Sequence, residues 1–285
     1  MRINNNMMAM NANRQLGINN TGTAKSLEKL SSGFRINRAG DDAAGLSISE
    51  KMRGQIRGLN MASKNAQDGI SLIQTAEGAL DETHAILQRM RELAVQSAND
   101  TNVEVDRGAL QDEMDQLLAE VDRIADNTEF NTQNLLNGDL TGSGKGLVFH
   151  IGANKDQNMT IQINSMKIDD LKGTGSGAQT ISELKTDGIK TQSGANAAIE
   201  TINGAIETVS KERSKLGAVQ NRLEHTIKNL DNAAENLQAA ESRVRDVDMA
   251  KEMMEFTKQN ILQQASTAML AQANQAPQTV LQLLR

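Results

Sequence analysis

Residues 202–244 read INGAIETVSKERSKLGAVQNRLEHTIKNLDNAAENLQAAESRV. Every seventh residue of this stretch is apolar: Ile202, Val209, Leu216, Leu223, Leu230, Leu237 and Val244. A helix with this period keeps its apolar seam against a partner helix only if the two supercoil left-handedly. The stretch therefore predicts a long helix that packs in the manner of a coiled coil.

A second register of the same period lies nearer the N-terminus, at Met52, Leu59, Ala66, Ile73, Leu80, Leu87 and Ala94. The chain has 285 residues and a single proline, Pro277, so almost nothing interrupts its helices. At ~1.5 Å per residue, a continuous helix over residues 195–271 would span about 110 Å. We therefore expect a mainly α, coiled-coil-like helical rod, which suits a building block better than a catalyst.

Two positions interrupt the helical pattern. Gly40-Asp41-Asp42 supplies a flexible residue followed by carboxylates that favour a helix start. After Val244 the register stops, because the next residue in phase is Lys251. It resumes three residues out of phase, at Val247, Ala250, Met254, Ile261, Ala265 and Ala268. Such a slip marks a domain boundary, and it lies opposite the Gly40 break if the two ends of the chain pair.

The pattern changes between the two long helices. In residues 146–166, apolar and polar residues alternate on both sides of Gly-Ala-Asn-Lys-Asp, which predicts a β-hairpin. Residues 171–194 are rich in Gly, Ser and Thr and predict a loop or a small surface element. A third helix precedes the hairpin, with apolar residues spaced by four and three at Leu110, Met114, Leu117, Val121 and Ile124.

No motif for catalysis or metal binding is present in the sequence. The chain has no Cys, and its three histidines are far apart, so no zinc-ligand spacing occurs. The Gly-Ser-Gly-Lys-Gly run at residues 142–146 lacks the flanking Gly and Ser/Thr that a phosphate loop requires. We expect neither enzyme activity nor a metal or other cofactor.

The net charge of −6 is unevenly distributed. Residues 1–40 carry six Lys or Arg against one acid, whereas residues 100–139 carry eleven acids against two Arg. This segregation either orients like subunits or marks solvated helix faces. The basic segment has no interleaved aromatic residues, so we expect no nucleic-acid partner. No apolar run approaches ~18 residues, so we expect no membrane span. No cleavable secretion signal is visible at the N-terminus.

Methionine is concentrated near the two ends of the chain, at Met7, Met8, Met10, Met253, Met254 and Met269. Such a cluster is typical either of an adaptable binding groove or of ordinary packing in a helix seam. We favour the helix seam.

Three stretches carry a resemblance to a known family. They are LSSGFRINRAGDDAAGLSISEKMRGQIRGL at residues 30–59, LGAVQNRLEHTIKNLDNAAENLQAAESRVRDVDMAKEM at 216–253 and QASTAMLAQANQAPQTVLQLLR at 264–285. All three resemble bacterial flagellins, most of all those of Gram-positive rods. The resemblance covers residues 1–165 and 195–285.

The resemblance implies two domains, an inner D0 and an outer D1. The implied segments are an N-terminal D0 arm (1–41), the first D1 helices and hairpin (42–170), a short variable insertion (171–194), the last D1 helix (195–243) and a C-terminal D0 helix (244–285). It also implies a subunit that is exported unfolded and self-assembles into the extracellular flagellar filament for motility. Its expected partners are further copies of itself, an export chaperone, and cap and junction proteins.

The resemblance further implies particular residues. A host innate immune receptor of the Toll-like class would bind Arg89 and Leu93, which we expect to share an exposed face, together with Glu113 of the third helix. A cytosolic sensor or chaperone would contact Leu281, Leu283 and Leu284. We expect the assembly seam to comprise Met52, Leu59, Ile73, Leu80, Leu216, Leu223, Leu230, Leu237, Met254 and Ile261.

Two alternatives stay open at this point. A flagellin-like hook–filament junction protein shares the terminal helices but is present in few copies. An intracellular coiled-coil scaffold would lack the hairpin and the terminal signatures. An enzyme is a remote third.

Overall fold

The computed structural model describes residues 6–141, 145–173 and 179–283, without the side chains of residues 186–187 and 276–283. The described part is mainly α, as predicted, with two small antiparallel strand pairs. Its helices are α1 (Met7–Ser32), α2 (Ala43–Ser97), α3 (Glu104–Asn127), α4 (Leu184–Asp187), α5 (Gln192–Arg245) and α6 (Met249–Leu283). Its strands are β1 (Glu129–Phe130), β2 (Gln133–Asn134), β3 (Leu147–His150) and β4 (Asn158–Ile161).

The chain forms two compact units, which we call the terminal unit and the central unit. The terminal unit contains the two ends of the chain, up to Ile56 and from Glu235 onward, and the central unit is Arg57–Ala234. The units divide within the long helices α2 and α5, whereas the domain boundaries expected from the sequence lie at 41/42 and 243/244. Helical structure is indeed interrupted close to those expected positions, between α1 and α2 and between α5 and α6.

The core of the central unit includes the seam that the seven-residue period predicts. In α2 and α5 the period-seven residues within this unit are buried, except for the half-buried Leu59. Gly69 allows a close approach of α5 and the hairpin, because a Cβ there would lie 3.4 Å from Leu223 Cδ1 and 3.3 Å from Phe149 Cδ1. Tight interdigitation of this kind gives buried apolar side chains their large contribution to stability.

The helix α3 is present, but its buried stripe differs from the prediction. Met114 and Val121 are buried as expected, whereas Leu110, Leu117 and Ile124 are only half-buried. The stripe is completed by Gln111, Leu118 and Ala125. The prediction considered only large apolar residues and therefore missed Gln111. The side-chain amide of Gln111 makes hydrogen bonds with backbone groups that are distant in sequence.

The predicted β-hairpin is confirmed. Strands β3 and β4 pair antiparallel, with Leu147 opposite Ile161 and Phe149 opposite Met159, and Met159 and Ile161 are buried. A second pair, β1 with β2, was not predicted. Its two-residue turn, Asn131 and Thr132, has φ of 51° and 64°, the positive values that tight hairpins with right-handed twist require.

The prediction of a loop or surface element for residues 171–194 is wrong for the described part of that segment. Its apolar residues Leu171, Ile181, Leu184 and Ile189 are all buried in the core of the central unit. Gln111 fixes the segment, because its Nε2 donates to the Leu184 carbonyl at 2.7 Å and its Oε1 accepts from the Ile189 N–H at 2.9 Å. A few well-placed apolar residues therefore anchor a segment whose average composition is polar.

Candidate assembly surface

In the terminal unit, α1 and α6 pack against each other. The half-buried residues of α6 that face this contact are spaced by four and three, and most are polar or small: Glu252, Phe256, Gln259, Gln263, Ser266, Leu270 and Ala273. The corresponding positions of α1 include Ala9, Ala12, Leu16, Asn19 and the buried Ser26. This seam keeps the heptad spacing of a coiled coil but has little apolar content.

Polar contacts align the two helices. Asn19 Nδ2 donates to Ser266 Oγ at 2.8 Å, and Asn6 Nδ2 donates to the Ala273 carbonyl at 2.7 Å. At the other end, Lys29 Nζ lies 3.8 Å from a Glu252 carboxylate oxygen. Both side chains of this pair are partly buried, at 31% and 14% exposed. Polar residues in a helix seam chiefly specify register. The α1–α6 pair is therefore aligned by polar contacts and weakly supported by apolar burial.

The resumed apolar register of α6 does not form a buried seam within the single chain. Met254 and Ile261 are 68% and 61% exposed, and Ala250, Ala265 and Ala268 are exposed as well. The reason is that α5 ends at Arg245 and α6 begins at Met249, so the slip separates two helices, and α6 turns its apolar residues away from α1. The other assembly-seam residues of the terminal unit, Met52 and Leu237, are half-buried.

Most of the large apolar side chains described in the α1–α6 pair are exposed. They are Met7, Met8, Met10, Ile18 and Leu27 on α1, and Met249, Met253, Met254, Ile261, Leu262 and Met269 on α6. The seam packing that we favoured for the methionine cluster is therefore wrong for the members of that cluster. Clusters of exposed apolar side chains mark interaction sites on protein surfaces.

Two depressions lie on this apolar surface. The larger, of about 640 Å³, lies between α1 and α6 and is lined in part by Met8, Leu262 and Met269, with Arg14 on its α1 side. The smaller, of about 400 Å³, lies on α6 and is lined by Met253, Met254, Thr257, Lys258 and Ile261. The α1–α6 pair thus offers two different apolar surfaces to partners.

A short antiparallel contact, which we call the clasp, joins residues 33–38 to residues 244–248. The Arg35 N–H donates to the Arg245 carbonyl at 2.7 Å, and the Val247 N–H donates to the Gly33 carbonyl at 3.0 Å. Gly33 has φ of 74°, a left-handed conformation that ends α1 at low cost. The clasp brings the two predicted chain breaks together, as expected if the ends of the chain pair.

Arg245 is the central side chain of the clasp. Its guanidinium carbon lies 4.6 Å from the centroid of the Phe34 ring, and Nη1 lies 3.1 Å from Glu50 Oε1. The side chain is only 13% exposed, which strengthens both its contact with the ring and its ion pair. Nothing in the periodicity of the sequence singled out Arg245 as a structural residue.

The expected receptor-binding residues are only partly together on the surface. Arg89 is half-exposed, with Nη2 2.8 Å from Glu113 Oε1 and Nη1 3.1 Å from Glu92 Oε2. The hydrogen bond to Glu113, followed by that to Glu92, raises the pKa of Arg89. Leu93 is 1% exposed, so the expectation that it shares an exposed face with Arg89 is wrong. Leu93 lies four positions after Arg89, which turns it by about 40° around the helix. This is enough to bury Leu93, because α2 is covered on more than one side.

Other predictions lie outside what the structure describes or stay open. Leu284 is outside the described residues, and so are the side chains of Leu281 and Leu283. Among the described residues, no group of His, Cys, Asp or Glu side chains is arranged to hold a metal ion. No described helix is long and apolar enough to cross a membrane.

Comparisons with known proteins agree with this architecture. Two family models match, the bacterial flagellin N-terminal helical region over residues 3–141 and the bacterial flagellin C-terminal helical region over residues 199–284. The chain is 60% identical to a flagellin of Halalkalibacterium halodurans and 54% identical to the flagellar filament 31.3 kDa core protein of Treponema maltophilum. Both alignments cover 100% of this chain and 100% of the relative.

Among solved structures, a putative flagellar hook-associated protein from Vibrio parahaemolyticus is similar, with a TM-score of 0.60. The match covers 72% of this chain and 100% of that chain at 14% identity, a likeness that shows the fold alone. The family models span most of the sequence, and close relatives match it from end to end. The chain therefore belongs to the bacterial flagellin family.

Proposed function

We propose that this chain is the structural subunit of an extracellular flagellar filament, which it builds by polymerising with copies of itself for swimming motility. Full-length similarity to flagellins and to a filament core protein supports this role over that of a junction protein. The mechanism rests on one observation about the α1–α6 pair: polar and small residues occupy much of its seam, and most of its large apolar side chains are exposed.

The driving force of assembly is burial of this apolar surface. Removing apolar surface from water contributes roughly 25 cal/mol per Å². The two depressions, one between α1 and α6 and one on α6, are different surfaces. In the proposed filament, each copy therefore contacts its neighbours through unlike surfaces. Contacts between unlike surfaces that do not close into a ring generate an open helical filament.

A matched pair of variants tests this mechanism. Ile261 in the terminal unit and Val148 in the central unit are both 61% exposed, so Ile261→Gln and Val148→Gln make similar changes at equally accessible positions. We expect Ile261→Gln to raise the monomer concentration needed for seeded polymerisation about tenfold, since a buried unpaired amide costs roughly 1–3 kcal/mol. Val148→Gln should polymerise as the unmodified chain does. Sedimentation after seeding measures both, and equal behaviour of the two variants would contradict the proposed surface.

We also propose further partners, on the basis of family membership. Export without a cleaved signal, an export chaperone acting near Leu281, Leu283 and Leu284, and cap and junction proteins belong to the proposed role. The polar, thinly packed α1–α6 seam supports it, because a pair with little internal burial separates at low cost before export. Deletion of residues 276–285 should abolish chaperone binding in a pull-down, whereas retained binding would remove this assignment.

Recognition by a Toll-like innate immune receptor is a second proposed role, supported by the exposed Arg89–Glu113 pair. The buried Leu93 contributes to this role only by positioning α2. We expect Arg89→Ala in the monomer to reduce receptor signalling strongly with little change in helicity, because Arg is a frequent interface anchor. Arg91→Ala, also exposed on α2, is the matched control. Equal signalling from both variants and the unmodified monomer would exclude Arg89.

A further inference from the structure

Eleven of the fourteen methionines of this chain fall into two sets. Met90, Met114, Met159 and Met166 lie in the core of the central unit and are 0–5% exposed. A second set on α1 and α6 is 49–71% exposed: Met7, Met8, Met10, Met249, Met253, Met254 and Met269. The terminal unit therefore presents thioethers to solvent on the surface to which we assign assembly, whereas the core of the central unit shields them.

Each depression on the proposed assembly surface has methionine in its lining. Met8 and Met269 line the depression between α1 and α6, and Met253 and Met254 line the depression on α6. Leu or Ile would supply similar apolar area without sulfur. The chain has no Cys, so no thiol competes with these thioethers for oxidants.

We propose that Met8, Met253, Met254 and Met269, which line the two depressions, form an oxidation site that controls assembly, with hydrogen peroxide as the oxidant. The inference rests on the proposed function, because it takes the same apolar surface as the contact between copies. Oxidation of the free chain converts these thioethers to sulfoxides and raises the monomer concentration needed for polymerisation, and reduction of the sulfoxides lowers that concentration again.

The chemical step balances with peroxide alone. The thioether sulfur attacks one peroxide oxygen, the O–O bond breaks, and an S–O bond forms. The sulfur loses two electrons and becomes a sulfoxide, and the other oxygen leaves as water with both peroxide protons. Methionine sulfoxide is polar, whereas methionine is apolar, and the change is reversible by sulfoxide reductases.

A sulfoxide in this contact impairs assembly for the same reason as the Ile261→Gln substitution, because both bury a polar group in an apolar contact. Its oxygen is a strong hydrogen-bond acceptor, and burying it in an apolar contact without a donor is unfavourable. Each copy presents both depressions, so oxidation damages both sides of the contact. Once copies are stacked, the same side chains lose contact with solvent and with peroxide.

The experiment uses the full-length monomer and dilute hydrogen peroxide. Peptide mass spectrometry should show oxidation at Met8, Met253, Met254 and Met269 before the buried Met90 and Met114. Seeded polymerisation of the oxidised monomer should require at least about tenfold more protein. Treatment with methionine sulfoxide reductases should restore polymerisation, and preassembled filaments should be oxidised much more slowly at these positions.

A variant in which leucine replaces all four methionines of the depressions should polymerise normally after the same peroxide treatment. Its substitutions are Met8→Leu, Met253→Leu, Met254→Leu and Met269→Leu. The matched control is Met61→Leu, since Met61 is 54% exposed but lies in the central unit. That control should stay as sensitive to peroxide as the unmodified chain. Normal polymerisation of oxidised unmodified chain, or no recovery after reductase treatment, would overturn the inference.

A further variant separates this inference from the proposed function. Met254→Gln mimics the polarity of a sulfoxide without any oxidant. If Met254→Gln and Ile261→Gln both polymerise normally, the surface is not the contact between copies, and the proposed mechanism of assembly fails. If both impair assembly but peroxide does not, the contact surface stands and only the oxidation site is wrong.

Discussion

The central and terminal units use the same seven-residue spacing in opposite ways. In the central unit, large apolar residues such as Ile73, Leu80 and Leu223 fill the seam between helices. In the α1–α6 pair, Asn19, Ser266 and other small or polar residues occupy the seam, and the methionines and Ile261 face outward. The spacing specifies that helices pair, whereas the residue type at the seam determines whether a unit is stable alone or needs further copies.

The largest effect should come from removing part of the terminal unit. Deleting residues 1–30 or 255–285 should leave the central unit folded, because its apolar core lies within Arg57–Ala234. Polymerisation should be abolished, since one member of the α1–α6 pair is lost. Circular dichroism and sedimentation after seeding measure the two properties. Filaments formed by either deletion variant would break the distinction between the units.

A second prediction compares one leucine from each unit. Leu223 is fully buried, so Leu223→Ala should lower the free energy of unfolding by roughly 2–5 kcal/mol. Leu262 of α6 is exposed, so Leu262→Ala should change it by less than about 1 kcal/mol while weakening polymerisation. Urea unfolding of the monomers measures both changes. Similar losses of stability would show that α6 already buries its apolar face in the single chain.

A third prediction concerns the clasp in the terminal unit. Arg245→Met removes the contact with Phe34 and the ion pair with Glu50, a loss of about 1–2 kcal/mol for a largely buried guanidinium. Hydrogen exchange at the N–H groups of Arg35 and Val247 should accelerate. Arg243→Met, at an exposed position nearby, is the control and should leave exchange unchanged. Unchanged exchange in Arg245→Met would mean that backbone pairing alone maintains the clasp.

The smallest expected effect is a pH dependence at Asp41. Its carboxylate accepts the N–H groups of Arg38 at 3.0 Å and Asn37 at 3.2 Å, and these bonds, with Arg38 the larger cause, lower the pKa of Asp41 below 3.8. A lowered folded pKa stabilises the folded state above the unfolded pKa, and this stabilisation is lost as the pH falls through the folded value. Carboxyl NMR titration should give a midpoint below 3.8, and Asp41→Asn should remove the associated change in clasp stability. A midpoint at or above 3.8 would contradict the hydrogen bonding.

Sequence patterns predicted the elements in which a regular spacing of apolar residues, or a local turn or break, is visible in the sequence. The seam of α2 and α5 is long and regular, so its period was enough to identify the buried residues. The β3–β4 hairpin alternates strictly around a turn. Both chain breaks were visible as well, since a glycine before Asp41 and an out-of-phase Lys251 are local signals. The extra turn at Asn131 and Thr132 was missed because its two strands are only two residues long.

What the sequence determined by itself is the mainly α fold, the paired breaks, the hairpin and the family. Only the tertiary structure decided which side of α3 and of α6 is buried, and how much of α2 is covered. Leu93 is buried because α2 is covered over more than one stripe, and Gln111 is buried because distant backbone groups satisfy its amide. Met254 and Ile261 are exposed because α6 faces α1 through Gln259 and Ser266 instead. Periodicity locates apolar residues along a helix, but burial depends on which neighbour covers them, and in the terminal unit we propose that this neighbour is another copy of the chain.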